Sequence, residues 1–323
     1  MATYKGIQGF SIQNLSADPS NPIEGQVWYN STSNVWKVEE ATTAGAWATG
    51  NNMNTARQNL AAAGIQTAAL AFGGYTTANT GATEEYDGNS WATSPGSLNT
   101  ARRSIAGCGI QTAALAFGGF ATTNTGATEE YGGVSWVTSN PLNTARNSLS
   151  GAGTQTAALA FGGTPPVTGA TEEYDGNSWT SGNSLNTARE SLASAGIQTA
   201  TLAFGGLTPA ATGATEEYDG TSWATSPGSL NTARYSLAGA GIQTAGLAFG
   251  GEVGAETGAT EEYDGTSWAT SPASMSTGRK NLGGTGTAAA GLTFGGVSPS
   301  GPTAATEEWT GPGALVTKTI TVS

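Results

Sequence analysis

A chain of 323 residues with 49 glycines, 37% apolar residues and only 11% charged ones can hold one large all-β domain or two smaller ones. Its net charge of −12 opposes contact with nucleic-acid backbones and anionic membranes. Cys108 is the only cysteine, so no intrachain disulfide can form; the N-terminal MATYKGIQGF lacks the apolar core of a signal peptide, and no apolar run approaches the roughly 18 residues of a membrane span. The expectation is a soluble chain, not exported by a standard signal, with no nucleic-acid partner and no membrane insertion.

Residues 1–40 stand outside any repeat. SADPSNPIEGQ is a Pro/Ser/Asn-rich connector. VWYNSTSNVWKV predicts two short strands, residues 27–30 and 34–38, about a polar turn. We read this segment as an attachment arm; a hairpin capping the following domain is the alternative.

From Trp47 onward a period takes over. Phe-Gly-Gly begins at Phe72, Phe117, Phe161, Phe204, Phe249 and Phe294, 43 to 45 residues apart, and an arginine recurs in step at Arg57, Arg102, Arg146, Arg189, Arg234 and Arg279. Nine Trp, nine Tyr and eight Phe are present, and those that follow this period read as core. Such a period, crowded with turn residues, means a propeller or a solenoid, and the density of Gly, Thr, Ser and Asn disfavours helix.

One copy, LNTARESLASAGIQTATLAFGGLTPAATGATEEYDGTSW, accommodates four strands. Strand a, around residues 191–197, is Ser, Ala and Gly. Strand b, residues 200–204, puts Leu202 and Phe204 on one face. Gly205-Gly206 frees the backbone to turn, strand c covers residues 214–218, and Asp219-Gly220 signals a tight hairpin into strand d with Trp223. Small residues on strand a suit an inner strand and large ones suit the wider outer space, which favours a propeller.

The sixth c strand falls at residues 305–309, with Trp309 replacing Tyr. The d-type tryptophan occurs as Trp47, Trp91, Trp136, Trp179, Trp223 and Trp268, while Ala314 stands where the last copy needs one. A six-bladed ring of four-stranded blades over residues 41–323 resolves the offset if the strand at Trp47 completes the last blade. The competing closing strand is residues 315–322, LVTKTITV.

Arg189, Gly205-Gly206, Glu216-Glu217-Tyr218-Asp219 and Trp223, repeated in six registers, resemble the kelch repeat. The resemblance implies a kelch-like six-bladed β-propeller. It also implies structural ion pairs Arg57–Glu84, Arg102–Glu129, Arg146–Glu172, Arg189–Glu216, Arg234–Glu261 and Arg279–Glu307. Short loops, small strand residues and Tyr131-Gly132 in place of Tyr-Asp depart from the pattern.

Catalysis finds little footing. Glu216 and Glu217 face opposite sides of a strand, and six equal copies imply geometry rather than one active site. Asp87-Gly88-Asn89-Ser90 and its relatives resemble calcium-loop fragments, but one Asp per loop cannot supply six to eight oxygens. The Gly-Gly pairs lack the lysine and helix of a phosphate cradle. The chain has no histidine, which removes the usual triads and imidazole metal sites. Some kelch-type propellers are copper oxidases; here that activity has no residues, and Cys108 stands where other copies have Ala63, Ala195 and Ala240. No enzyme activity, cofactor or metal is expected.

The copies differ most between Gly-Gly and the next Thr-Glu-Glu, in b–c loops that open with Tyr75, Phe120, Thr164, Leu207, Glu252 and Val297. The d–a loops should project on the same face. The resemblance implies that this face binds partners, and loop tolerance is the other explanation. KGIQGFSIQNLSADPSNPIEGQVWYNSTSNVWKV is similar to N-terminal stretches of tailed-phage virion proteins, chiefly in its WYN-S-T-S-N turn. The function expected is a non-enzymatic phage structural or adhesion protein on the virion surface. Residues 1–40 would dock to other virion proteins, and the propeller loops would face a host-surface protein or glycan. A capsid decoration or fibre component packing only on virion neighbours, a cytoplasmic kelch-type scaffold, and a carbohydrate-active enzyme are the alternatives. A homo-oligomer is compatible with each.

Overall fold

A computed structural model describes residues 12–42, 44–313 and 315–320. The segment KGIQGFS of the N-terminal resemblance, position 314 and residues 321–322 lie outside the described residues. All regular structure among the described residues is β: seven four-stranded sheets and one two-stranded ribbon, with no helix. The chain divides into two units, Ala46–Thr310 and the segments on either side of it.

In the flanking unit, Gln13–Leu15 lies parallel to Val27–Asn30, which pairs antiparallel with Val35–Ala41. Leu315–Ile320 completes this sheet beside Val35–Ala41 and so does not supply the closing strand of the last repeat sheet. The second strand of the expected hairpin begins at Val35 because Asn34 takes a left-handed φ of 56° in the turn. Asp18, from the connector, accepts hydrogen bonds from Lys37 Nζ (2.6 Å), Asn30 Nδ2 (2.7 Å) and Trp28 Nε1 (3.0 Å). These donors, Lys37 foremost, hold its carboxyl at about 2.

In Ala46–Thr310 a four-stranded antiparallel sheet recurs six times, the arrangement of β-propeller blades. The fourth copy runs Ala193–Ile197, Ala200–Phe204, Thr215–Tyr218 and Trp223–Thr225, with Leu202 opposite both Ala195 and Glu217 and Tyr218 opposite Trp223. Strand a starts two residues later than the sequence suggests, because Ser191 adopts a φ of 53° and directs its N–H to Ser148 of the neighbouring copy at 2.8 Å. The sixth sheet comprises Gly283–Gly286, Ala290–Phe294, Thr306–Thr310 and Ala46–Gly50, with Trp309 opposite Trp47. Each a strand contacts the next, and the sixth contacts the first.

Large residues of one sheet fill the seam with its neighbour. Leu202 and Phe204 of the fourth sheet pack with Leu237, Ala248 and Trp268 of the fifth. Leu292 and Phe294 of the sixth pack with Ala69, Tyr86 and Trp91 of the first. Each fully buried Leu or Phe contributes about 1.5–3 kcal/mol by area. Polar atoms in the seams are matched as well. Trp223 Nε1 donates to Thr171 Oγ1 in the preceding sheet at 3.0 Å, and Trp47 Nε1 does the same to Thr260 Oγ1 at 2.8 Å.

Candidate functional site

The six repeat arginines are buried and each meets its glutamate. Nitrogen–oxygen distances are 2.9 Å for Arg57–Glu84, 2.5 Å for Arg146–Glu172, 3.2 Å for Arg189–Glu216 and 2.7 Å for Arg279–Glu307; Arg102–Glu129 and Arg234–Glu261 also pair. Desolvation pulls the Arg189 guanidinium below its ordinary pKa, against the opposing charge of Glu216. The other carboxylate oxygen of Glu216 accepts the backbone N–H of Asn186 at 2.6 Å. Asn186 Nδ2 in turn donates to the carbonyl of Trp223 at 2.9 Å. Each Arg–Glu pair therefore clamps a d–a loop onto the c strand of its own sheet. These groups form scaffold, with no open face for a substrate.

That clamp fixes what lies above it. After strand b, Gly205 and Gly206 take φ values of 65° and 109°, which only glycine adopts freely. Gly206 N–H then reaches the carbonyl of Arg234 in the next sheet at 2.9 Å. The next residue, Leu207, forms an antiparallel bridge with Glu190, the residue that follows the buried arginine. The same pairing joins Tyr75 to Gln58, Phe120 to Arg103, Thr164 to Asn147, Glu252 to Tyr235 and Val297 to Lys280. All six b–c loop openings singled out from the sequence thus sit beside a second set of varied residues. Sequence reasoning passed over that set. Its signal was available, since Gln, Arg, Asn, Glu, Tyr and Lys follow six otherwise equivalent arginines.

One residue further, Asn59, Ser104, Ser148, Ser191, Ser236 and Asn281 all have φ between 49° and 55°. Each N–H donates to the carbonyl of the equivalent residue in the preceding copy, and Asn59 N–H donates to Asn281 at 2.9 Å, so the hydrogen bonds run in a cycle. These residues and the Leu or Ile after each line a cavity of about 130 Å³. A larger cavity of about 240 Å³ is lined by the six a strands. Cys108 lies on this lining, with its Sγ 3.4 Å from the carbonyl of Thr154. Burial pushes its thiol pKa up, which disfavours the reactive thiolate.

The varied residues carry two contrasting charge arrangements. Lys280 Nζ lies 2.6 Å from Glu252 and 3.1 Å from Glu256, and these contacts, Glu252 foremost, raise its pKa. Arg103 instead sits over the rings of Tyr75 and Phe120, at 4.9 Å and 4.8 Å from their centroids. Among the described residues no three His, Cys, Asp or Glu gather in a group able to hold a metal ion. No protein-family model matches the chain, and no curated protein matches it significantly.

Proposed function

We propose that this chain is a non-enzymatic binding protein of a tailed-phage particle, built as a closed, kelch-like six-bladed β-propeller. In this reading the Trp47 strand completes the sixth blade, the N-terminal segment attaches to virion proteins, and the varied face is turned to a host surface. One observation carries the reading. Near-identical strands and buried Arg–Glu clamps hold twelve varied side chains, from Gln58/Tyr75 to Lys280/Val297, on the b–c loop side of the sheets. A fold that changes chiefly there keeps its scaffold and diversifies a surface. The lack of any histidine supports a binding role over a hydrolytic one. The similarity of the N-terminal segment to phage virion proteins supports the particle.

The test is competition. Purified full-length chain should block adsorption of the parent particle to its host, and exchanging the b–c loop residues among copies should relieve the block. Reconstruction of the particle should show a six-bladed disc at its surface. Blocking that is indifferent to the loops, or a particle without the disc, would overturn the proposal. A disc whose varied face is packed against virion neighbours would favour a purely structural component.

A further inference from the structure

The seams between sheets provide an internal comparison. The residue after the buried arginine in one sheet reaches the b–c loop of the sheet before it. Lys280 meets Glu252 and Glu256 in this way, and Asn147 Nδ2 donates to Asn124 at 2.6 Å. Arg103 occupies the same position in the second sheet, where Tyr75 and Asn79 replace the two glutamates. Its Nη1 donates to Asn79 Oδ1 at 3.2 Å. Asn79 Nδ2 is itself committed to the carbonyls of Phe120 (3.0 Å) and Ala121 (2.7 Å), so its oxygen is held toward Arg103.

The guanidinium is therefore positioned without being neutralised. Ala46–Thr310 contains eight Lys and Arg residues. Six arginines are spent on buried glutamates and Lys280 on two carboxylates. Arg103 alone among these eight has no carboxylate within ion-pair distance among the described residues. In a chain of net charge −12, an oriented and unpaired guanidinium on the varied face is a fork for a carboxylate. Tyr75 and Phe120 each carry the guanidinium over their ring but are only half-buried, and the ring surface left open suits the C–H face of a sugar. An acidic peptide fits less well, because the chain's net charge of −12 repels a ligand carrying several negative charges more than one carrying a single carboxylate.

We propose that the Arg103 seam, with Tyr75, Phe120 and Asn79, is a subsite for a saccharide bearing an isolated carboxylate, of the sialate or uronate class. This rests on the reading that the varied face meets the host. The guanidinium takes the carboxylate, and an aromatic ring takes one face of the sugar.

The experiment titrates full-length protein with 3′-sialyllactose and with methyl β-glucuronide, each beside its methyl ester, by calorimetry and saturation-transfer NMR. At least one acid should bind, with its ester weaker by about ten- to a hundredfold. Arg103→Gln should lose the acid by a similar factor. Asn79→Glu, which copies the self-neutralised arrangement at Lys280, should also lose it while keeping the arginine. Lys318→Gln, which removes one positive charge from the flanking unit, should bind as the parent does, and unchanged thermal midpoints exclude misfolding of the variants. Failure of both acids to bind, equal binding of acid and ester, indifference to Arg103→Gln, or preference for an aspartyl peptide would each overturn the subsite. Adsorption blocking that survives Arg103→Gln overturns the subsite and leaves the adhesion reading standing. Arg103-dependent sugar binding without any adsorption blocking does the reverse.

Discussion

Gln111, in the turn between strands a and b of the second sheet, donates its side-chain amide to the backbone carbonyl of Tyr86 in the first sheet at 2.6 Å. The same nitrogen reaches the carbonyl of Ala69 at 3.0 Å. Gln66, Gln155, Gln198 and Gln243 repeat this stitch at four further seams. The sixth copy has Ala288 in that position, so the carbonyls of Gly246 and Tyr263 receive no glutamine amide there. Gln155 makes its stitch from a turn closed by Thr154 N–H to Ala157, and the sixth turn is closed in the same way by Thr287 N–H to Ala290. Ala288→Gln should therefore complete the set, adding about 1 kcal/mol and about 2 °C to the thermal midpoint. Calorimetry of the variant decides it, and no gain would mean that the side chain does not reach. Gln198→Ala should lower stability by about 1–3 kcal/mol, because two carbonyls lose their donor.

Small residues on the a strands answer to a neighbour as well as to an axis. A β-carbon on Gly239 would stand 2.6 Å from both the Phe204 ring and the Ser194 carbonyl of the preceding sheet, and one on Gly107 would stand 2.4 Å from Phe72. The φ of neither glycine is positive, so space and not backbone freedom selects the residue. Gly239→Ala should cost about 1–3 kcal/mol by overpacking, read as a lower midpoint in urea. Phe204→Leu in the same chain should recover part of the loss by shortening the ring. Additive losses would contradict a steric conflict between the two.

Periodicity made the four-strand copies and the buried aromatics legible, because Leu202, Phe204, Tyr218 and Trp223 have counterparts at a fixed spacing along the chain. The offset tryptophan pointed to the partner of the last sheet, since Trp47 is the only d-type residue without strands of its own copy before it. What the sequence hid was local. Ser191 looked like a strand residue but takes a left-handed turn, a conformation that serine does not advertise as glycine does. The varied residues after each arginine escaped notice because only the folded bridge between Leu207 and Glu190 brings them beside the b–c loops. The fixing of Arg103 by Asn79 depends on contacts between copies, which a repeat alignment treats as separate rows.

The buried clamp between Arg189 and Glu216 should respond asymmetrically to substitution. Removing one partner leaves a desolvated charge, so Arg189→Met or Glu216→Leu should each cost about 3–5 kcal/mol. The double variant should cost less than the sum, because it removes both charges together. Glu216 also accepts the N–H groups of Asn186 and Thr187, and Arg189 donates to the carbonyls of Ala214 and Ala203, so each single variant also strips backbone groups of a partner. A double-mutant cycle by denaturant unfolding measures the coupling, and strict additivity would contradict it.

The c–d turn offers a gain at one copy. Asp219 Oδ1 accepts the N–H groups of Thr221 (2.8 Å) and Ser222 (2.7 Å), and those bonds, Ser222 foremost, lower its carboxyl pKa. Gly132 occupies the equivalent position with the same backbone bond to Ser135 at 3.0 Å, and a β-carbon there meets nothing within 4 Å. Gly132→Asp should raise the thermal midpoint at neutral pH. A carboxyl depressed in the folded state stabilises above its unfolded pKa and loses that effect as pH falls through the folded value. The gain over the parent chain should therefore vanish in acid; a gain that persists at pH 2 would point to a cause other than the carboxylate.

Alkali should unfold this protein through its tyrosines. Tyr131, Tyr174 and Tyr263 are each pushed up to about 12 by burial first. Glutamates of the preceding sheet add to the rise, such as Glu85 beside Tyr131 at 2.5 Å. Tyr86 and Tyr218 are raised in the same way, by burial and then by Glu308 and Glu173. In the unfolded chain all five titrate near pH 10. Above that value the folded state retains protons that the unfolded state releases, so stability is whole below about pH 10 and falls as pH rises through about 12. Five groups acting together make the fall steep. Tyr218→Phe removes one titrating group at the loss of its bond to Glu173, so it should be less stable than the parent at pH 7 and should lose less on passing from pH 9 to pH 11. Thermal midpoints at the three pH values, with tyrosinate absorbance followed in parallel, provide the measurement. Ionisation of all the tyrosines near pH 10 with the fold intact would overturn it.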